Sequence, residues 1–310
     1  MIENRTFVVS AEEEGSRFDL VAAARFPEST RAYVCAAIQR GEILLNGARA
    51  EKAARLKAGD AVEVVALLEE GEGRAAPDPS LALEVVFDDG YLLGVDKPAG
   101  MPLKPSSPFD GGALANGVVA MRPELALVGN DQMGAGALHR LDAGASGLVL
   151  FAANNFIFAY MRGLFATSQV KMSFLALVEG EVRDEGRVAC ELVGESVRSD
   201  RLVPAVPAAT AAGKRGGKRL HVSETFFRPL RAIGGRTLLE VRAATALDHQ
   251  VRAQLALAGH PVAGDTLYGA ASASDAPSPG GFFLHSLSAA FVHPATGEPV
   301  VIRAAPPPWA

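Results

Sequence analysis

The chain is poor in the residues on which most redox, metal and membrane chemistry depends. Its two cysteines, Cys35 and Cys190, lie far apart in 310 residues, which argues against a disulfide framework and for reduced, buried thiols. Six histidines are scattered without a Cys/His ligand cluster, and no P-loop or dinucleotide fingerprint occurs. Neither a metal nor an organic cofactor is therefore expected. No apolar run reaches the ~18 residues of a membrane-spanning helix. The N-terminal Met-Ile-Glu-Asn-Arg-Thr also lacks the basic-then-apolar order of a secretory signal. The expectation is a cytoplasmic protein with no membrane contact. No internal repeat is visible.

What is present is ordinary in amount and uneven in distribution. A hydrophobic fraction of 49% and a charged fraction of 21% suit a globular chain long enough for two domains. The net charge of −5 argues weakly against a nucleic-acid partner, but it conceals a polarity. Between Gly15 and Lys57 eight Lys/Arg face four Asp/Glu, a local +4 that leaves −9 for the remainder. A basic module on an acidic body fits local phosphate contact better than uniform non-specific binding.

Residues 12–66 form the basic module. Gly15-Ser-Arg-Phe-Asp opens a short helix, with Ser16 or Asp19 as the cap candidate and Pro27 as its stop. Ser29-Thr30-Arg31 opens a second, which Gly41 ends. Ile43–Leu45 and Asn46-Gly47 read as a strand and hairpin turn, and Ala61–Val65 as a closing strand. Residues 67–80, acidic and rich in Gly and Pro, read as a linker. Over 81–305, β-like runs recur at Leu83–Phe87, Tyr91–Asp96, Ser146–Ala152, Ser173–Val178, Thr237–Val241 and Ala289–His293. A helix follows Asn154, with Ile157, Tyr160, Met161, Leu164 and Phe165 at helical spacing. The class predicted is α+β, with a mixed, mainly antiparallel sheet and flanking helices. Residues 203–219 form a basic loop carrying Lys214, Arg215, Lys218 and Arg219, suited to RNA or merely to solubility.

The most informative stretch is Leu138-His-Arg-Leu-Asp142-Ala-Gly-Ala-Ser-Gly-Leu-Val-Leu-Phe-Ala152. A carboxylate beside a cation at the mouth of a buried strand can act as nucleophile or base; it is also a common turn former. Three further segments accompany it. Asp96-Lys-Pro-Ala-Gly-Met-Pro102 is a turn in which Lys97 reads as architectural. Lys171-Met-Ser-Phe-Leu-Ala-Leu-Val-Glu-Gly180 is a strand. Asp248-His-Gln-Val-Arg252 opens a helix, with Asp248 as its cap and Gly259 past its end.

Together these segments, with Val262–Gly269, Phe283–Leu287 and Phe291–Glu298, resemble the RluA-type pseudouridine synthases, which isomerise uridine in RNA. The first module resembles an S4 RNA-binding domain, on Arg17-Phe18-Asp19, Ser29-Thr30-Arg31, Ile38–Gly41 and Asn46-Gly47. The resemblance implies Asp142 as nucleophile on a flipped uridine, Arg252 as its ion-pair partner and Phe174 as the ring packing on the base. It further implies Arg140 as a contact to the opened RNA, with Arg17, Arg31 and Arg40 on RNA phosphates; Lys214 and Arg215 are RNA-binding candidates from the composition of their loop alone. No cofactor is implied, and a monomer is expected. The S4-like module favours large-subunit ribosomal RNA over transfer RNA as substrate.

Three departures matter. Phe174 stands where the family has tyrosine, Ala246-Leu247-Asp248 where relatives have Gly-Arg-Thr, and Ala145 where they usually have Thr. They motivate an alternative in which the fold binds RNA with lost or slowed catalysis. His285 and His293 read as structural, hydrogen-bonded residues.

Overall fold

In a computed structural model of the chain, the described residues are 2–26, 31–67, 73–108, 110–194, 201–204, 219–243 and 248–310. They divide into two compact units, Met1–Ala75 with Ser106–Asp110, and Ala76–Pro105 with Gly111–Ala310.

In the first unit, strands β1 (Ile2–Val8), β2 (Ile43–Leu45) and β3 (Ala61–Leu67) form an antiparallel sheet in the order β1-β3-β2. Helices α1 (Phe18–Arg25) and α2 (Arg31–Arg40) supply Phe18, Val21, Ala22, Val34 and Ile38 to a core closed by Ile43, Leu56, Val62 and Val64. The Asn46-Gly47 turn forms as its sequence demands, with both residues at positive φ (51° and 74°) and Leu45 and Ala48 exchanging backbone hydrogen bonds. β1 lies ahead of the expected start at residue 12; in the sequence, Glu3-Asn4-Arg5 hides its alternation.

Neither expected cap serves α1. Arg17 occupies the N-cap position without a side-chain cap bond. Asp19 is buried and accepts from Arg17 Nε at 3.0 Å and Arg31 Nη2 at 2.8 Å. Burial works against its charge, but those two guanidiniums hold its carboxyl down at about 2. Pro27, Ser29 and Thr30 lie outside the described residues.

The second unit is built on one large mixed sheet. Its strands are β4 (Glu84–Asp88), β5 (Leu92–Lys97), β6 (Ser146–Ala152), β7 (Lys171–Glu179), β8 (Gly186–Gly194), β9 (Leu202–Pro204), β10 (Arg219–Ile233), β11 (Arg236–Ala243), β12 (Leu284–Val292) and β13 (Pro299–Arg303). The order is β4-β5-β6-β12-β7-β11-β10-β8-β9, with β13 added on β12. Every pairing is antiparallel except β6 with β12. The six expected strands are present, mostly longer than their apolar cores. Helices α3 (Leu114–Met121), α4 (Asn155–Ala166) and α5 (Gln250–Leu257) flank the sheet. Asn154 caps α4, its Oδ1 accepting from Ile157 N at 3.0 Å. Among the described residues no helix is long and apolar enough to cross a membrane.

Within the span read as a linker, 67–80, residues 68–72 lie outside the described residues, and Ala76 and Asp78 are bonded to the chain at the start of α3. Asn116 Nδ2 donates to Ala76 O at 2.7 Å, and Gly112 N donates to Asp78 Oδ2 at 3.0 Å. The linker thus supplies one side chain, Asp78, to the backbone just before α3, and one backbone carbonyl, that of Ala76, to a side chain of the helix.

The parallel junction of β6 and β12 positions the loop before β6. There Gly147 sits at φ 108° opposite Ser286, and a Cβ on it would lie 2.2 Å from the Ser286 carbonyl oxygen. Only glycine fits so close a backbone approach. Gly147→Ala should therefore destabilise the second unit by about 3 kcal/mol, seen as a lower urea midpoint at unchanged slope. A midpoint within error of the wild type would mean that β6 and β12 part without cost.

Candidate active site

Asp142 precedes β6, in a loop held from beneath by a buried amine. Lys97, at the end of β5, is fully buried, and its Nζ lies 2.9 Å from Pro98 O, 2.8 Å from Met101 O, 3.2 Å from Ala143 O and 2.6 Å from Ala145 O. It thereby binds the Asp96–Pro102 turn to the segment that follows Asp142. Gly100 N adds a bond to Ala143 O at 2.7 Å, and Ala145 N closes the loop onto Asp142 O at 3.1 Å. Burial pushes the amine down to about 8, against the pull of the Asp142 and Asp96 charges. His139 is equally structural. Its Nε2 accepts from Leu150 N at 3.1 Å, and burial drops the ring to about 4, so it is neutral.

α5 brings the counter-charge. Its start does not use Asp248 as a cap. His249 is the N-cap residue, at φ 54°, and Asp248 turns outward to Arg140 Nη1 at 3.0 Å. Gln250 and Gln254, one turn apart, anchor the helix by donating to Glu224 O (3.1 Å) and Ser223 O (2.9 Å) on β10. Arg252 is thereby buried rather than facing solvent on its own helix. Its Nε and Nη2 donate to the two oxygens of buried Asp265 at 2.7 and 2.8 Å, and its Nη1 to Asp142 Oδ2 at 2.8 Å. The guanidinium also lies 4.1 Å from the Phe282 ring centroid. Burial opposes its charge, but Asp265 and Asp142 more than offset this and raise it above its ordinary value. The second oxygen of Asp142 faces His249 Nε2 at 3.4 Å, and His249 Nδ1 faces the Tyr268 hydroxyl at 3.4 Å. Burial lowers the His249 ring against the pull of Asp142, leaving it neutral at neutral pH.

Phe174 on β7, Met172 and Leu284 complete a cavity of about 50 Å³ over Asp142. That volume holds a water or two, so a nucleobase enters only if the mouth opens. At the mouth Arg140 and Asp248, both more than half exposed, pair across the gap.

The structure thus brings together Asp142, Arg252, Phe174 and Arg140. Arg17 and Arg31 lie in the first unit, both committed to Asp19. Arg40 ends α2, with its side chain outside the described residues; Lys214, Arg215 and Leu247 also lie outside them. His285 meets Ser146 Oγ at 2.9 Å, and His293 Nδ1 accepts from Ala295 N and Thr296 N, both structural roles. The sequence reading gave no role to Asp265, His249 or Tyr268. Asp265 sits 13 residues beyond Arg252, and no helical or strand periodicity links the two.

The site is a carboxylate held by a buried guanidinium, under an aromatic ring and behind a charged lip. A family model described as RNA pseudouridylate synthase matches residues 91–257. The ribosomal large subunit pseudouridine synthase D of Xanthomonas campestris is 33% identical, over 98% of this chain and 88% of that protein. The ribosomal large subunit pseudouridine synthase C of Yersinia pestis is 28% identical, over 96% and 90%. The solved human RNA Pseudouridylate Synthase Domain Containing 1 shares the fold, with a TM-score of 0.55 at 21% identity over 76% of this chain and 87% of that one. The chain belongs to the RNA pseudouridylate synthase family.

Lys97 offers a test of the loop's foundation. With its folded value near 8 and its ordinary value at 10.5, the folded state carries the charged amine at a cost below about pH 8. Unfolding takes up protons between those values, so stability should rise with pH from about 8 to 10.5 in the wild type relative to Lys97→Met. Urea midpoints measured across that interval check it. Parallel profiles for the two proteins would mean that the carbonyl cage fully replaces the hydration of the amine.

Proposed function

We propose that this chain converts specific uridines of large-subunit ribosomal RNA to pseudouridine, with Asp142 as the nucleophile. The observation that carries this reading is the Asp142 carboxylate held by Arg252 at 2.8 Å in a cavity walled by Phe174. In the reaction the N1–C1′ bond of uridine breaks, a C5–C1′ bond forms, C5 gives up its proton and N1 receives one. Inside a helix the base cannot turn about its sugar, so it is flipped out, and Phe174 packs on its face while Asp142 attacks. Arg252 pairs with the carboxylate at one oxygen, while Asp265 holds its Nε and Nη2 side. Arg140, on the rim, meets the opened RNA. The names of the similar ribosomal large-subunit enzymes support the choice of RNA.

The first unit, two helices on a small sheet, is read as an S4-like RNA-binding domain. The proposed division is this module over 12–66, a linker over 67–80 and a catalytic domain over 81–305. Arg17, Arg31 and Arg40 are assigned to phosphate contacts, and Asp19 fixes the direction of the first two. Lys214 and Arg215 are assigned to the same task in the second unit.

Pseudouridine mapping of total RNA, with the gene intact, deleted or carrying Asp142→Asn, tests the reading. One or a few ribosomal positions should lose the modification in both altered strains. Loss confined to transfer RNA would overturn the substrate, and full modification by Asp142→Asn would overturn the mechanism. The rim gives a second prediction. Arg140 must exchange Asp248 for a phosphate, so Asp248→Thr should tighten binding of a target hairpin about fivefold at low salt, with little effect on stability. Unchanged affinity in a titration of the two proteins would remove Arg140 from the RNA contact.

A further inference from the structure

The face of the large sheet turned away from Phe174 carries a second surface. Side chains alternate along β7, so Phe174 faces the cavity and Ser173 the opposite side. Across the strands, the register sets Ser173 in one row. Arg187 on β8 pairs with Phe226 on β10, Phe226 with Arg242 on β11, Arg242 with Ser173, Ser173 with Ser288 on β12, and Ser288 with Arg303 on β13. The Ser173 and Ser288 hydroxyls meet at 2.7 Å, which confirms that the row shares one face despite the β12 bulge. The row floors an open groove of about 1080 Å³.

Three features define what the groove takes. Its lining holds five cations, Lys171, Arg187, Arg228, Arg242 and Arg303, against two carboxylates, Glu185 and Glu240. Glu240 is shared by Arg228 at 2.6 Å and Arg242 at 3.1 Å, Arg187 pairs with Glu224, and Arg303 has no ion pair among the described residues. A polyanion is the complementary ligand. Phe226 keeps 43% of its surface exposed, with the Arg187 guanidinium 5.5 Å from its ring centroid. That is a stacking platform flanked by a cation, which selects a polyanion bearing flat bases. Met172 lines both this groove and the Asp142 cavity, so the two surfaces meet at one strand.

We propose that this groove binds a single-stranded segment of the substrate RNA flanking the flipped uridine, with Phe226 stacking on a base and Arg242 and Arg303 on phosphates. Six strands at about 4.8 Å spacing span roughly 24 Å, enough for a segment of about four nucleotides. The role rests on the reading of the chain as an enzyme acting on RNA, and it adds a contact on the opposite face from the catalytic cavity.

Binding of a fluorescent single-stranded oligouridylate by the full chain, titrated at several salt concentrations, tests the proposal without turnover. Arg242→Ala combined with Arg303→Ala should weaken binding about tenfold and flatten the dependence of log affinity on log salt by about 1.4, two phosphate contacts' worth on a single strand. Phe226→Ala should weaken binding about tenfold with the slope unchanged, since a lost stack releases no counterion. Thermal unfolding of the variants confirms that these exposed residues leave the fold intact. Wild-type affinity and slope in the double variant would overturn the proposal. So would a base-free polyphosphate bound as tightly as the RNA and indifferent to Phe226. If groove variants lose binding while the wild type makes no pseudouridine in any RNA, only the catalytic reading fails. If pseudouridine forms while groove variants bind normally, only the groove fails.

Discussion

The site depends on one buried guanidinium shared between two carboxylates. Taking three charges out of water is expensive, and burial is tolerated only where geometry repays it. Here Asp265, itself buried, takes two N–H groups of Arg252 in a bidentate fork, and the Phe282 ring lies against the guanidinium plane. Arg252 then reaches Asp142 at one oxygen only, through Nη1, and the other oxygen faces His249 Nε2 at 3.4 Å. A carboxylate clamped at both oxygens would be a structural ion pair. One held at a single oxygen keeps lone pairs for a substrate. Asp265 thus fixes the orientation of Arg252 without lining the cavity.

The carboxylate also needs a rigid origin, and Lys97 and Gly147 provide it in the segment just after Asp142. The amine gathers two carbonyls from that segment, those of Ala143 and Ala145, as well as two from its own turn. The glycine lets β6 and β12 run parallel at a distance no other residue allows. A lysine in such a position resembles a catalytic amine in a sequence, since both are lone cations beside a functional aspartate. Its four carbonyl neighbours identify it as a structural clamp.

Two of the departures from the family pattern, Phe174 and Asp248, lie on the cavity wall and at its lip. Phe174 preserves the flat wall but carries no hydroxyl, and behind Asp142 the neutral His249 links its carboxylate to the Tyr268 hydroxyl. Asp248 turns Arg140 from a free rim cation into half of an exposed ion pair. Such pairs are worth little in water, so the lip is closed lightly and opens for a phosphate without straining the core.

The sequence alone determined the features whose cause is local. The apolar run Ser146–Ala152 is β6 to the residue, Asn46-Gly47 is a hairpin turn because both residues tolerate positive φ, and Asn154 caps the helix it precedes. Asp142, Arg252, Phe174 and Arg140 are singled out from their segments by resemblance, and the tertiary structure sets all four around one cavity. Local signals failed where a distant partner won. Asp248 has the composition of a cap, yet it points to Arg140, 108 residues away, and Asp19 left its expected cap role for two arginines. The polar runs of β8 and β10 hid their strands, since their outer face is lined by arginine and glutamate. Asp265's grip on Arg252 and the six-strand row from Arg187 to Arg303 exist only in the tertiary structure. They depend on register and crossing geometry, which bring residues together at separations that no periodicity along the chain records.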